Sequence, residues 1–206
     1  MINLIKNVLF IIVLCGCNIA SNTQTVKVTC DQLGLYFMLP ADFTPLDSDK
    51  IESVEKEGIK AIKEAFNKKA LKGWQPSCLN LQDSYKSTIL VSSISTEEAV
   101  ELNGSIDEFI EKTFKDSNDF IARRFKQKAN IDIDLNESVV QTRMTIAGYK
   151  VKKNAFTFKY GGMLMYFSRY YFFLRDDKLY LLGYTGSPKA DNNDEIVNAI
   201  ENAKLL

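Results

Sequence analysis

The most reactive side chains in this chain are its four cysteines, Cys15, Cys17, Cys30 and Cys78, two of which stand one residue apart in "LCGC" at positions 14–17. A thiolate is a nucleophile and a soft metal ligand, so this spacing fits a redox or metal pair, a buried core or a processing signal. The chain contains no histidine, which removes Ser-His-Asp and Cys-His catalysis, imidazole acid–base work and most catalytic zinc sites. No GxGxxG, P-loop lysine motif or G-x-S-x-G occurs. Two acidic stretches offer oxygen ligands. "DIDLNE" (Asp132, Asp134, Asn136, Glu137) opens with calcium-loop spacing, but it lacks the turn glycine and has Arg143 where the bidentate glutamate belongs. Its polar residues fit one side of an exposed strand. "DNNDE" at 191–195 already has a reason to be acidic at a helix N-terminus. No metal, cofactor or catalytic residue is therefore assigned, and an enzyme working through carboxylate, lysine or serine alone stands as an alternative.

What lies around "LCGC" decides among its uses. In "MINLIKNVLFIIVLCG" only Lys6 is charged, leaving an apolar run too short to span a bilayer, which needs about 20 residues. A short basic region followed by such a run matches a secretory signal peptide. Leu14-Cys15-Gly16-Cys17 resembles a bacterial lipobox, with Leu at −3, small residues at −2 and −1 and cysteine at +1. The resemblance implies that Cys17 receives diacylglycerol, that cleavage precedes it, and that its new amino group is acylated. Small side chains admit the extended backbone to a narrow peptidase site. Several acyl chains, at ~0.8 kcal/mol per buried CH₂, then hold a protein on the bilayer. Residues 1–16 are thus expected to be a leader and 17–25 a flexible lipidated tether. Asn18 at +2 is not an inner-membrane retention aspartate, and no acidic run follows; both point to the periplasmic face of an outer membrane.

Without the leader about 190 residues remain, enough for one domain with a good core. Lys6 is the only charge removed, so residues 17–206 carry one more acidic than basic side chain. That balance gives no electrostatic reason to expect nucleic acid or anionic lipid as a partner. Cys30 and Cys78 are the thiols left in an oxidising compartment, which suggests a disulfide between them. The alternative is two buried thiols acting as small core residues.

Elements follow from periodicity. "TVKVTCDQLGLYFMLP" is β, broken at Gly34 and stopped at Pro40, as two short strands or one bent one. Apolar residues at Ile51, Val54, Ile59, Ile62 and Phe66 predict an amphipathic helix over 50–69, ended by "ALKGWQPS". "CLNLQDS" and "STILVSSIS" form a hairpin. "SIDE" is a capping box opening a helix through Phe125, which "DSN" at 116–118 bends or splits. From Ile131 to Thr185 strands are expected, with Gly161-Gly162 as a two-residue hairpin turn. A last helix occupies 191–203. In "MLMYFSRYYFFL" both alternating sets are apolar, so that strand is covered on both faces. The fold class is α+β, a mostly antiparallel β-sheet covered by helices on both faces.

This order is similar to the Mog1/PsbP-like α/β/α sandwich over 26–206. The resemblance rests on Leu39, Pro40 and Phe43 at the end of the first strand segment, then "IAGYK" (146–150), "FKYGG" (158–162), "YYFFL" (170–174) and "LYLLGYTG" (179–186). Members include a photosystem II extrinsic subunit and a nuclear-transport factor that binds a small GTPase. The resemblance therefore implies binding or assembly rather than catalysis and transfers no functional residue. Of the 23 aromatic residues, 12 lie between Tyr149 and Tyr184. They are either two-sided core or, for Tyr160, Tyr166, Tyr170 and Tyr184, the rim of a ligand groove. Trp74, between Gly73 and Pro76, is either a contact anchor or packed on the sheet edge. The preferred function is a membrane-anchored envelope module that binds an unidentified envelope protein. A periplasmic small-ligand binder is the alternative.

Overall fold

The computed structural model describes residues 24–45 and 75–206. The helix expected over 50–69 lies outside them, as do Cys17 and Trp74. Ten strands and four helices are described. They are β1 (Thr25–Cys30), β2 (Leu35–Pro40), β3 (Thr44–Pro45), β4 (Gln75–Gln82), β5 (Thr88–Ser95), α1 (Thr96–Asn103), α2 (Ile106–Ala129), α3 (Leu135–Ser138), β6 (Val139–Ile146), β7 (Tyr149–Tyr160), β8 (Met163–Arg175), β9 (Lys178–Gly186), α4 (Asn193–Glu201) and β10 (Lys204–Leu205).

Seven strands make one sheet in the order β3-β4-β5-β9-β8-β7-β6, and every pairing is antiparallel. β8 lies inside it, as its two apolar sets require. Phe167, Tyr171 and Phe173 point to one face, where they meet Leu35, Phe37 and Leu39 of β2 and Ile196 and Ile200 of α4. Phe172 points to the other, where it joins Ile94, Phe109, Phe114 and Leu179. The fold is α+β with a large antiparallel sheet, helices packing on both faces.

Three features differ from the sequence expectation. First, β1 and β2 are two strands that join β10 in a separate three-stranded sheet. Beside α4, this small sheet covers one face, because β2 buries Leu35, Phe37 and Leu39 against the large sheet. Second, α2 is one uninterrupted helix. Its start is the expected cap, with the Glu108 N–H donating to Ser105 Oγ at 3.2 Å. Polar 116–118 does not break it because Lys112 pairs with Asp116 at 2.8 Å and Asn118 turns inward, accepting from the Asn154 side-chain amide at 2.9 Å. Third, strand structure begins at Val139 rather than Ile131. Asp134 caps the short α3 by accepting from the Asn136 N–H at 2.9 Å, and Asp132 pairs with Lys126 at 2.7 Å. The calcium-like spacing thus serves a helix cap and an ion pair.

Candidate functional site

The four tyrosines expected at one rim are not brought together. Tyr184 is fully buried on the α4 face, where its hydroxyl donates to Asn193 Oδ1 at 2.7 Å; burial pushes its pKa up. Tyr166 and Tyr170 pack on the opposite face of the sheet, among residues of α2 and its neighbours. Tyr166 sits edge-on to Phe156 and Phe125, with centroids 5.7 and 6.2 Å apart. Burial raises its pKa well above the usual tyrosine value, and Tyr170 adds to the shift. The Tyr170 ring lies over Gly183, where a Cβ would come within 3.2 Å of it. Tyr160 alone is exposed, at the turn between β7 and β8. The aromatic crowding is therefore core on two faces, and no common groove joins these residues.

Sequence patterning does not single out the polar side chains that lock the layers. Tyr171 donates its hydroxyl to Glu201 Oε1 at 2.9 Å, and Lys153 pairs with the same oxygen, which ties α4 to β7 and β8. Burial first, and the Glu201 carboxylate second, push the Tyr171 phenol up. Asn193 donates to the carbonyls of Ser187 and Ala190, both at 2.9 Å, while accepting from Tyr184. A glutamate and an asparagine on a helix read as solvent-facing in one dimension; only the register of α4 on the sheet turns them inward. Among the described residues no group of three or more cysteines, aspartates or glutamates is placed to hold a metal ion.

Two hollows lie between α2 and the outer strand β6. One, of about 200 Å³, is lined by Glu111, Phe114, Gln141, Arg143 and Lys152 among others. The second, of about 380 Å³, is lined mainly by Lys115, Asn118, Asp119, Asn136 and Gln141. Neither has the predominantly apolar lining of a small-molecule pocket, and none of the four tyrosines contributes to either.

Met163, the most exposed large apolar side chain among the described residues, stands on a β-ribbon. β9 ends at Gly186, opposite Phe167, and β6 begins at Val139, opposite Phe156. Residues 158–160 and 163–166 therefore pair only with each other among the described residues, and project past the end of the sheet. Gly161 and Gly162 turn the chain with φ of +56° and +82°, the left-handed pair that a two-residue type I′ turn demands. A two-stranded ribbon is marginal by itself, and this one is clamped at its root from both sides. On one face Phe125 meets Phe158 edge-on at 5.2 Å. On the other, the Arg169 guanidinium stacks on Phe167 at 3.8 Å and donates to the Phe156 carbonyl and Thr157 Oγ1, both at 3.1 Å. Burial lowers the Arg169 pKa. At the free tip Tyr160 is 56% and Met163 66% exposed, beside exposed Lys159.

No protein-family model matches the chain, and no curated protein matches it either. Solved structures do. Cyanobacterial PsbP (CyanoP) from Synechocystis sp. PCC 6803 is similar at 9% identity and a TM-score of 0.44, over 93% of this chain and 98% of that one. A Bacteroides thetaiotaomicron structure is similar at 9% identity and a TM-score of 0.38, over 89% of this chain and 49% of that one. LpqN of Mycobacterium tuberculosis, described as involved in cell envelope biogenesis, is similar at 9% identity and a TM-score of 0.31, over 65% of this chain and 79% of that one. These likenesses are of overall architecture, and no residue role passes through them.

Proposed function

We propose that this protein is a bacterial envelope lipoprotein, held on the periplasmic face of the outer membrane by acyl chains on Cys17, and that it works as a non-catalytic binding or assembly module. The observation that carries this is Leu14-Cys15-Gly16-Cys17 immediately behind an apolar run that is too short to span. Among the described residues no helix is long and apolar enough to cross a membrane. Asn118, Asn154 and Asn193, polar side chains buried in the core, are engaged in holding α2 and α4 in place, and the ribbon tip is one of the places where apolar side chains are exposed for contact. Its partners are the bilayer, through the acyl chains, and an envelope protein; the near-balanced charge gives nucleic acid no purchase.

The test is the intact mass of protein extracted from membranes. The expected mass is that of residues 17–206 carrying a thioether-linked diacylglycerol and an amide-linked acyl chain. An unmodified N-terminus at any other residue would overturn the assignment.

Cys30 closes β1 and is buried, while Cys78 lies on β4. We propose that the two form a disulfide. It would close a loop of roughly fifty residues and stabilise the fold by roughly 4 kcal/mol on chain-entropy grounds. Alkylation of the denatured, unreduced protein is expected to label neither residue, and stoichiometric labelling of both would exclude the bridge.

A further inference from the structure

The geometry points to the ribbon tip as a second membrane contact: Tyr160, Met163 and Lys159 seat in the headgroup layer of the same bilayer that holds Cys17, and so fix the orientation of the domain. This rests on the lipid anchor proposed above, and it adds to that anchor a surface and a docking pose.

Topology places the ribbon and the tether at one end of the molecule. The far end is marked by Arg175, whose guanidinium donates to the Gln32 carbonyl at 2.9 Å and so holds the turn at 31–34 beside the β8–β9 turn. From that turn β1 runs back to Thr25, paired with Pro40. The Ala41 N–H then donates to the Gln24 carbonyl at 2.8 Å, and Asp42 accepts from the Ser84 hydroxyl at 2.9 Å. The tether therefore joins the domain beside the β4–β5 turn. In the sheet, Thr88 at the close of that turn pairs with Thr185, and Thr185 pairs with Ser168. This is the edge from which residues 163–166 project.

The distances agree. Residues 17–24 reach at most about 25 Å when fully extended. The ribbon overhangs the sheet by about 13 Å and stands ~15 Å to the side of the β4–β5 turn, three strand spacings away. The tether thus keeps the ribbon end near the lipid, where an effective concentration on the order of millimolar lets a weak contact form.

The side chains suit an interface. Tyrosine is enriched at the headgroup level, methionine is flexible and apolar, and a lysine buries its stem while its ammonium stays in water. Tyr85, 49% exposed, and Lys86 stand on the neighbouring turn and repeat the pattern. The opposite end is mixed in character: Asp176 and Asp177 form the β8–β9 turn between Arg175 and Lys178, Glu97 and Glu98 start α1 where the Thr96 N–H donates to the Asp177 carbonyl, and Leu174, Leu205 and Leu206 are exposed. What sets the ribbon end apart is the tether, which joins the domain there at Gln24. Exposed Leu174 lies at the end away from the tether, which makes it the control position.

The experiment uses lipidated protein in phosphatidylethanolamine–phosphatidylglycerol vesicles, in a Trp74→Phe background that removes the single native tryptophan. Tyr160→Trp and Leu174→Trp each install one reporter indole, and brominated lipid is the quencher. The Tyr160→Trp protein should lose roughly half its emission, as for a ring ~5–10 Å into the headgroup–acyl boundary, and the Leu174→Trp protein almost none. Protein that floats with the vesicles yet shows no quenching in Tyr160→Trp, or equal quenching in both variants, would overturn the contact while leaving the anchor intact; a protein partner at the tip gives the first of these outcomes. Protein that fails to float removes the anchor, and the contact with it. Should Trp74→Phe not fold, hydrogen exchange on the unsubstituted protein is decisive. Amides 159–164 should exchange several-fold more slowly on vesicles than in soluble Cys17→Ala, with 174–178 unchanged, and equal rates would overturn the contact.

Discussion

Replacing Phe172 by alanine should lower the unfolding free energy by about 3–5 kcal/mol, the usual cost of removing a buried phenylalanine. The ring is 2% exposed and meets Phe114 of α2 edge-on, with centroids 5.2 Å apart. Ile94 and Leu179 belong to the same cluster. These neighbours come from two strands and a helix whose positions are fixed by other contacts, so the space left behind cannot collapse. Urea denaturation should show an earlier midpoint with an unchanged slope. A variant with wild-type stability that had lost binding to a partner or ligand would mean that the inner aromatics form a site, and would sink their assignment to the core.

Gly186→Ala should be nearly as costly, about 3 kcal/mol or more, because it combines overpacking with the loss of buried hydrogen bonds. A Cβ there would overlap the Asn193 carboxamide, with Asn193 Cγ 2.7 Å and the Tyr184 hydroxyl 3.0 Å away. Asn193 cannot yield without abandoning the Ser187 and Ala190 carbonyls and the Tyr184 phenol. Those three groups would then be left in a dry interior, at about 1–3 kcal/mol for each one stranded. Pairing Gly186→Ala with Asn193→Ser should restore part of the loss, since the serine vacates the colliding atoms. Thermal unfolding of Gly186→Ala at the wild-type midpoint would show that Asn193 does not pack against this glycine.

The two-sided strand is legible because β8 writes its environment into its sequence. Both alternating sets are apolar, and a strand like that has to be interior. The cap at Ser105 and the Gly161-Gly162 turn are legible for a related reason, since each depends on a few adjacent residues. What cannot be read depends on register between distant segments. Nothing local states that β2 pairs with β10 through Tyr36 and Lys204, so the small sheet on the α4 face has no signature in the pattern. Nothing local makes Asn118 an interior residue either, because its partner Asn154 is 36 residues away. Counting tyrosines between 149 and 184 locates the aromatic density but not its division. Tyr166 and Tyr170 belong to one set of β8 and Tyr184 to the other face through β9, an assignment that only the strand pairing settles. The ribbon is hidden for the opposite reason. Its turn is plain in the sequence, whereas its projection depends on where β6 and β9 stop.

The strand order also sets a timetable for folding. β6 to β9 are successive hairpins whose partners lie close along the chain, so each can zip from its own turn with little loop entropy to overcome. β5 must wait for β9, because Thr88 meets Thr185 across about a hundred intervening residues. β2 waits longer still, since Tyr36 is matched by Lys204 and the Leu206 N–H closes on the Gly34 carbonyl. As the chain is made or threaded from its N-terminus, the part nearest the proposed anchor is the first to emerge and the last to find its partners. Until the meander appears, β1 and β2 have no large sheet on which to bury Leu35, Phe37 and Leu39. Assembly is therefore expected to run backwards along the chain, with the C-terminal hairpins as the template on which the N-terminal strands settle, so that in pulse-labelled refolding the amides of β7 and β8 should gain protection before those of β2.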